Sequence, residues 1–287
     1  MESRNDMNGL LANKKALVCG VANRNSIAWA VANAFRAHGA DVALTCLEPS
    51  LKRVSKMSAD AGFHQVFPCD VRRDESVARA FDEAGRVFGG RLDILVHSLA
   101  FAPPEDLGGE FIRTSRESWN VALDVSAYSL VAMARCARPL FARAGGGSIM
   151  AMAFIGSRSV VPGYNVMGVA KAALECVVRY LAYDLGPERI RVNGISPGPV
   201  RTASALMIED FDRSLDLVGK SSPLCRNVSL DEVANTVVFL ASGLSSGITG
   251  SLLTPDAGMS IVAPPGIPHP RPPRPDAGVP GAAGAGS

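Results

Sequence analysis

A tyrosine and a lysine carry the most chemistry in this sequence. Tyr164 and Lys171 belong to the stretch Phe154-Ile155-Gly156-Ser157-Arg158-Ser159-Val160-Val161-Pro162-Gly163-Tyr164-Asn165-Val166-Met167-Gly168-Val169-Ala170-Lys171, with six residues between them. If both sit on one helix, an i, i+7 pair returns to the same face about 10 Å apart along the axis. The two side chains could then address one bound cofactor from the same side. Taken alone, the segment reads more readily as a packed tyrosine and a solvated lysine.

Chemistry gives the spacing a reason. Short-chain reductases that act on carbonyls separate their tyrosine and lysine by three residues; here the gap is six. In carbonyl reduction, hydride goes to the carbon whose oxygen the tyrosine protonates. In enoyl thioester reduction it goes to the β-carbon, two bonds further from that oxygen. The hydroxyl must stand further off and still stabilise the enolate that forms. Moving the tyrosine by about one helical turn relative to the lysine is compatible with that demand.

Alternating strands and helices must position these residues. Ala16–Gly20 reads as a short buried strand and Ile27–His38 as a helix. Val42–Cys46, Val66–Cys69, Ile94–Ser98, Ser148–Ala153 and Arg191–Ile195 continue the apolar strand series, and Leu252–Thr254 could end it. A long helix is predicted for Val166–Leu185. Strands apolar on both faces suit a parallel sheet covered by helices. The expected fold is therefore α/β, a single-domain Rossmann-type doubly wound sheet. That domain is expected over 14–262, after a polar, frayed segment 1–13 and before a disordered Pro/Gly/Ala-rich tail over 263–287.

Gly20-Val21-Ala22-Asn23-Arg24-Asn25-Ser26-Ile27-Ala28 lies between the first strand and the first helix. A Rossmann-type fold places a pyrophosphate there, over the helix N-terminus. Gly20 is the only glycine of the usual three, although Ala22 and Ser26 are small enough for close approach. An ordinary β-α turn would look similar. After the second strand, Cys46-Leu47-Glu48 offers no cation for a 2′-phosphate, and Glu48 could reach a ribose 2′-hydroxyl. NADH is the preferred cofactor; Arg24, Lys52 and Arg53 keep NADPH open.

Composition excludes several classes. Hydrophobic residues make up 47%, charged residues 20%, and net charge is +2, so neither a disordered chain nor a nucleic-acid or membrane-surface footprint is expected. Cys19, Cys46, Cys69, Cys136, Cys176 and Cys225 lack metal-ligand spacing and read as buried free thiols of a reducing compartment. No leader and no apolar run of about eighteen residues is visible, so a cytoplasmic protein is expected.

Taken together, the motifs resemble the enoyl-acyl-carrier-protein reductases of bacterial type II fatty-acid synthesis, a divergent branch of the short-chain dehydrogenase/reductase family. The resemblance runs from Leu10 to about Val262. Besides the segments above it includes Cys69-Asp70-Val71, Val96-His97-Ser98-Leu99-Ala100-Phe101-Ala102-Pro103, Arg191-Val192-Asn193, Gly198-Pro199-Val200-Arg201-Thr202 and Ile248-Thr249-Gly250.

The resemblance implies that Tyr164 bonds the thioester carbonyl and Lys171 holds the nicotinamide ribose. It implies Gly20, Ser26 and Ile27 at the pyrophosphate, Asp70 and Val71 at the adenine, and Leu99 and Ala100 under the inner ribose and nicotinamide. Val200 and Thr202 complete that pocket, and Ala203–Val218 forms a substrate-binding lid. The implied substrate is carried by acyl carrier protein or coenzyme A. A homotetramer is implied too, with Trp119–Arg138 and Val166–Leu185 as candidate interface helices.

Three positions depart from the family's pattern. Phe154 stands where many members carry a second tyrosine. Ala100 replaces a glycine, which should weaken flat phenolic inhibitors that stack on the nicotinamide. Pro255-Asp256-Ala257-Gly258 replaces the usual Val-Asp-Gly-Gly. These changes leave two alternatives open: a reductase of specialised metabolism acting on another enoyl or carbonyl compound, and a nicotinamide-binding sensor without turnover.

Overall fold

The apolar runs become a single sheet. In the computed structural model, which describes residues 9–203, 205–207 and 210–262, the strands are β1 (Lys15–Cys19), β2 (Asp41–Cys46), β3 (Val66–Pro68), β4 (Ile94–His97), β5 (Gly147–Met152), β6 (Ile190–Ile195) and β7 (Leu252–Leu253). All pairings are parallel, in the order β3-β2-β1-β4-β5-β6-β7. The order reverses between β1 and β4, and such a switch point opens a crevice at the carboxyl ends of the strands.

Helices cover both faces: α1 (Ile27–Ala37), α2 (Leu51–Asp60), α3 (Asp74–Val87), α4 (Arg116–Leu123), α5 (Ser129–Ala144), α6 (Asn165–Leu185), α7 (Phe211–Ser221) and α8 (Leu230–Ala241). On one face Trp29, Phe35, Val54, Val233 and Val237 of α1, α2 and α8 are buried against Val18, Leu44 and Met150. On the other, Phe81, Met133, Phe141, Leu174 and Val178 of α3, α5 and α6 are buried against Leu17, Leu95 and Ile149. Two-sided burial explains why the central strands lack polar alternation. Asn193 locks the β6–β7 edge: its amide donates to the Ile248 carbonyl at 2.9 Å and accepts from the Ser251 N–H at 3.1 Å.

The structure alters two expectations. The helix predicted around Trp119–Arg138 is interrupted, since α4 passes through a π-helical turn at Asp124–Tyr128 before α5 begins. Periodicity does not reveal one inserted residue. The segment expected to fray up to residue 13 is anchored inside it: Leu11 is fully buried and its N–H donates to the His38 carbonyl at 3.0 Å. The tail over 263–287 lies outside the described residues. Among the described residues no helix is long and apolar enough to cross a membrane.

Candidate active site

The first wall of the cleft is the β1–α1 turn. Gly20 has φ +92°, and a Cβ there would lie 2.1 Å from the Ser98 carbonyl oxygen, so only glycine lets the ends of β1 and β4 approach this closely. Ser26 caps α1, its hydroxyl oxygen accepting from the Trp29 N–H at 3.2 Å. The first turn of α1 carries no acidic residue, so its positive end faces the cleft uncompensated.

The opposite wall comes from β5 and α6. Lys171 is 4% exposed, and its ammonium donates to the Met152 carbonyl at 2.6 Å. Burial lowers its pKa to about 8. Tyr164 is the N-cap residue of α6, not an interior helical residue, so the two side chains are placed by a turn and a helix together. Burial pushes the Tyr164 phenol above the ordinary tyrosine range, which keeps it a neutral donor. Gly156 makes room for the ring: a Cβ there would lie 2.7 Å from its edge.

These elements enclose a cleft of about 530 Å³, and every site residue implied by the family resemblance lines it. Along the carboxyl edge of the sheet, Asp70 and Val71 follow β3, and Gly20 leads from β1 to Ser26 and Ile27 of the α1 turn. Leu99 and Ala100 follow β4, Phe154 follows β5, and Val200 and Thr202 follow β6; Tyr164 and Lys171 come from the α6 region. Phe211, the first residue of α7, also lines the cleft. The Thr202 hydroxyl accepts from the Ala205 N–H at 3.1 Å, and Arg201 pairs with Asp212 at 2.8 Å, which joins the β6 loop to α7.

Sequence reasoning missed part of the wall. Glu48 is exposed and does not line the cleft; Leu47 and Ser50 do. Arg72 also lines it, forked onto the Asp70 carboxylate at 2.9 and 2.6 Å, and holds that acid below the usual carboxylate range. An arginine two residues from an aspartate in an irregular loop gives no periodic signal. The six cysteines form no disulfide; Cys19, Cys46 and Cys69 are buried, while Cys136, Cys176 and Cys225 are partly exposed. Burial raises Cys46 to about 11 and Cys69 to about 12, which makes these cleft-lining thiols poor nucleophiles.

An apolar cleft along the carboxyl ends of the strands, lined by a helix N-terminus and a buried ammonium, matches a dinucleotide. The helix end suits a pyrophosphate and the ammonium suits ribose hydroxyls. Fold and site together define a Rossmann-type, dinucleotide-dependent oxidoreductase. Residues 20–260 match the family model described as enoyl-(acyl carrier protein) reductase. The NADH-dependent enoyl-[acyl-carrier-protein] reductase FabI of Neisseria meningitidis is 46% identical over 257 residues, covering 89% of this chain and 98% of its own length. That of Escherichia coli is 41% identical, covering 89% and 97%. The Anaplasma phagocytophilum reductase structure in complex with NAD is similar, with TM-score 0.86 and 42% identity over 91% of this chain and 98% of that one. The Bacillus cereus reductase with NADP+ and indole naphthyridinone has TM-score 0.85 and 40% identity, over 88% and 99%. This chain belongs to the enoyl-acyl-carrier-protein reductase family.

Proposed function

We propose that this chain reduces the trans-2 double bond of an enoyl thioester on acyl carrier protein, using NADH, in fatty-acid biosynthesis. The observation that carries this reading is the shared cleft of a neutral, buried Tyr164 phenol and a buried Lys171 ammonium, at the family's spacing. When bound, NADH supplies the hydride that adds to the β-carbon. The double-bond electrons then shift toward the thioester, and its carbonyl oxygen becomes an enolate oxygen. Tyr164 donates a hydrogen bond to that oxygen, where it is worth most in a site that excludes water. The α-carbon takes a proton and the saturated thioester forms.

Lys171 holds the nicotinamide ribose hydroxyls with the two N–H groups that Met152 leaves available. The N-terminus of α1 with Gly20, Ser26 and Ile27 receives the pyrophosphate; Asp70, fixed by Arg72, and Val71 flank the adenine. Leu99, Ala100, Val200 and Thr202 confine the nicotinamide. Phe154 packs on Tyr164 without offering a second proton donor. Leu47 at the ribose rim brings no positive charge, which supports NADH over NADPH. Comparing NADH with NADPH oxidation, each with crotonyl and acetoacetyl thioesters, tests the reading. Turnover confined to the ketone would reject it.

The same proposal includes assembly as a homotetramer. Tyr180 and Tyr183 on α6 are 71% and 85% exposed, and Trp119 and Tyr128 add aromatic surface on the neighbouring helices. Covering such rings stabilises an interface. Light scattering on the chain and on Tyr183→Glu measures this directly: a tetramer that the substitution breaks is expected, and a monomeric wild type would reject it.

A further inference from the structure

Tyr164 sits between two backbone positions in the left-handed region. Gly163 precedes it with φ +74°, and Asn165 follows with φ +35°. Glycine takes this conformation freely; Asn165 is not glycine, and residues in this region persist only where their surroundings hold them. Asn165 is held: its side-chain amide donates to the Gly108 carbonyl at 3.0 Å and to the Gly109 carbonyl at 3.3 Å. Those carbonyls belong to the loop that leaves the cleft after Ala100 and Phe101. Asparagine tolerates the left-handed region better than other residues with a Cβ.

The turn decides where the phenol leaves the chain. The Tyr164 N–H donates to the Val161 carbonyl at 3.1 Å, and the Tyr164 carbonyl accepts from Met167 at 3.0 Å as α6 starts. Rotation at Asn165 toward negative φ would re-aim the peptide that carries the Tyr164 carbonyl, and the ring with it. From this we infer that Asn165 is a positioning residue for Tyr164: its left-handed backbone, fixed by the amide clamp on Gly108 and Gly109, sets the reach of the phenol toward the thioester oxygen. Lys171 lies deeper in α6 and is anchored separately on Met152. Cofactor binding should therefore be insensitive to Asn165.

A double-mutant cycle tests this. Asn165→Ala removes the clamp and holds the left-handed region only at a steric cost; kcat with an enoyl thioester should fall about tenfold or more, a 1.4 kcal/mol loss per factor of ten. Asn165→Gly loses the clamp but keeps the backbone freedom, and should stay within about threefold of wild type. In a Tyr164→Phe background, Asn165→Ala should change the residual rate less than about twofold, because its effect passes through the missing hydroxyl. NADH affinity should stay unchanged throughout.

Should the alanine variant fold poorly, Asn165→Ser, which loses the amide clamp and tolerates the left-handed region less well than asparagine, carries the same cycle. Losses that multiply in the Tyr164→Phe background, or a glycine variant as slow as the alanine one, would overturn the inference. It rests on Tyr164 meeting the thioester, and the two fail differently. A wild type inert toward enoyl thioesters rejects the function; an active wild type with multiplying losses rejects only the role of Asn165.

Discussion

The Phe154 ring meets the Tyr164 ring edge-on, with centroids 4.9 Å apart and planes at 64°. Such a pair is worth about 1 kcal/mol beyond the area it buries, and here it holds a ring whose hydroxyl must meet a developing charge. Phe154→Leu keeps apolar volume and loses the edge contact. Its kcat should fall about three- to tenfold on that magnitude while NADH affinity stays constant. Steady-state kinetics with fluorescence titration of NADH checks the split; a rise in KM for NADH alone would assign Phe154 to cofactor packing instead.

Lys171 makes the free enzyme more stable as the pH rises into the alkaline range. Its folded pKa is about 8 because of burial, below the unfolded value. Between about pH 8 and 10 the unfolded chain holds this proton and the folded chain does not, so stability rises with pH across that window. The cost of burying the charge is fully present below pH 8. Ligand binding goes the other way: kcat/KM for NADH should fall above about pH 8 as the ammonium is lost. Lys171→Met should abolish both trends, measured as melting temperature and as kcat/KM against pH.

His97 makes the fold sensitive to acid. The Ser129 hydroxyl gives its proton to the Val125 carbonyl at 2.7 Å, so His97 Nε2 must be the donor in its 2.7 Å bond to Ser129. Nδ1 is then a buried acceptor with no partner among the described residues. Burial first, and nearby Lys171 second, hold the ring's pKa near 3. Below about pH 6.5 the unfolded chain takes up a proton that the folded chain refuses, so stability falls with acidity. His97→Gln can still donate to Ser129, and its urea-unfolding free energy should fall less between pH 6.5 and 4.5. An identical slope would show that other groups set the acid limit.

Ala257 occupies the left-handed region at φ +57°, in the Pro255-Asp256-Ala257-Gly258 turn where the family places glycine. The strain of an alanine there, about 1–2 kcal/mol, exceeds the flexibility that glycine restores to the unfolded chain, about 0.4–1 kcal/mol. Ala257→Gly should raise the melting temperature by about 1–3 °C. No gain by calorimetry would mean that the turn has relaxed around the methyl group.

The sheet was legible because its strands are buried on both faces and helices separate them. Each predicted run, from Ala16–Gly20 to Leu252–Thr254, falls on an observed strand with ends shifted by about one residue. The candidate residues were legible for a different reason, since a doubly wound sheet gathers the ends of β1, β4, β5 and β6 at one crevice. What stayed hidden is set by local backbone geometry and tertiary contact. The π turn at Asp124–Tyr128 shifts the helical phase without a marker residue. The left-handed φ of Asn165, the first residue of α6, is visible only in dihedral angles. Arg72 reaches the cleft from a loop whose course no pattern predicts.

The central claim is that hydride goes to the β-carbon while Tyr164 holds the thioester oxygen. Reduction of a trans-2-enoyl thioester by NADH deuterated on the transferred face, followed by NMR or mass spectrometry of the product, tests it directly. Deuterium is expected at the β-carbon and a solvent proton at the α-carbon, with the rate lowered by about 10²- to 10⁴-fold in Tyr164→Phe. Deuterium at the former carbonyl carbon, or a Tyr164→Phe variant as fast as wild type, would contradict it.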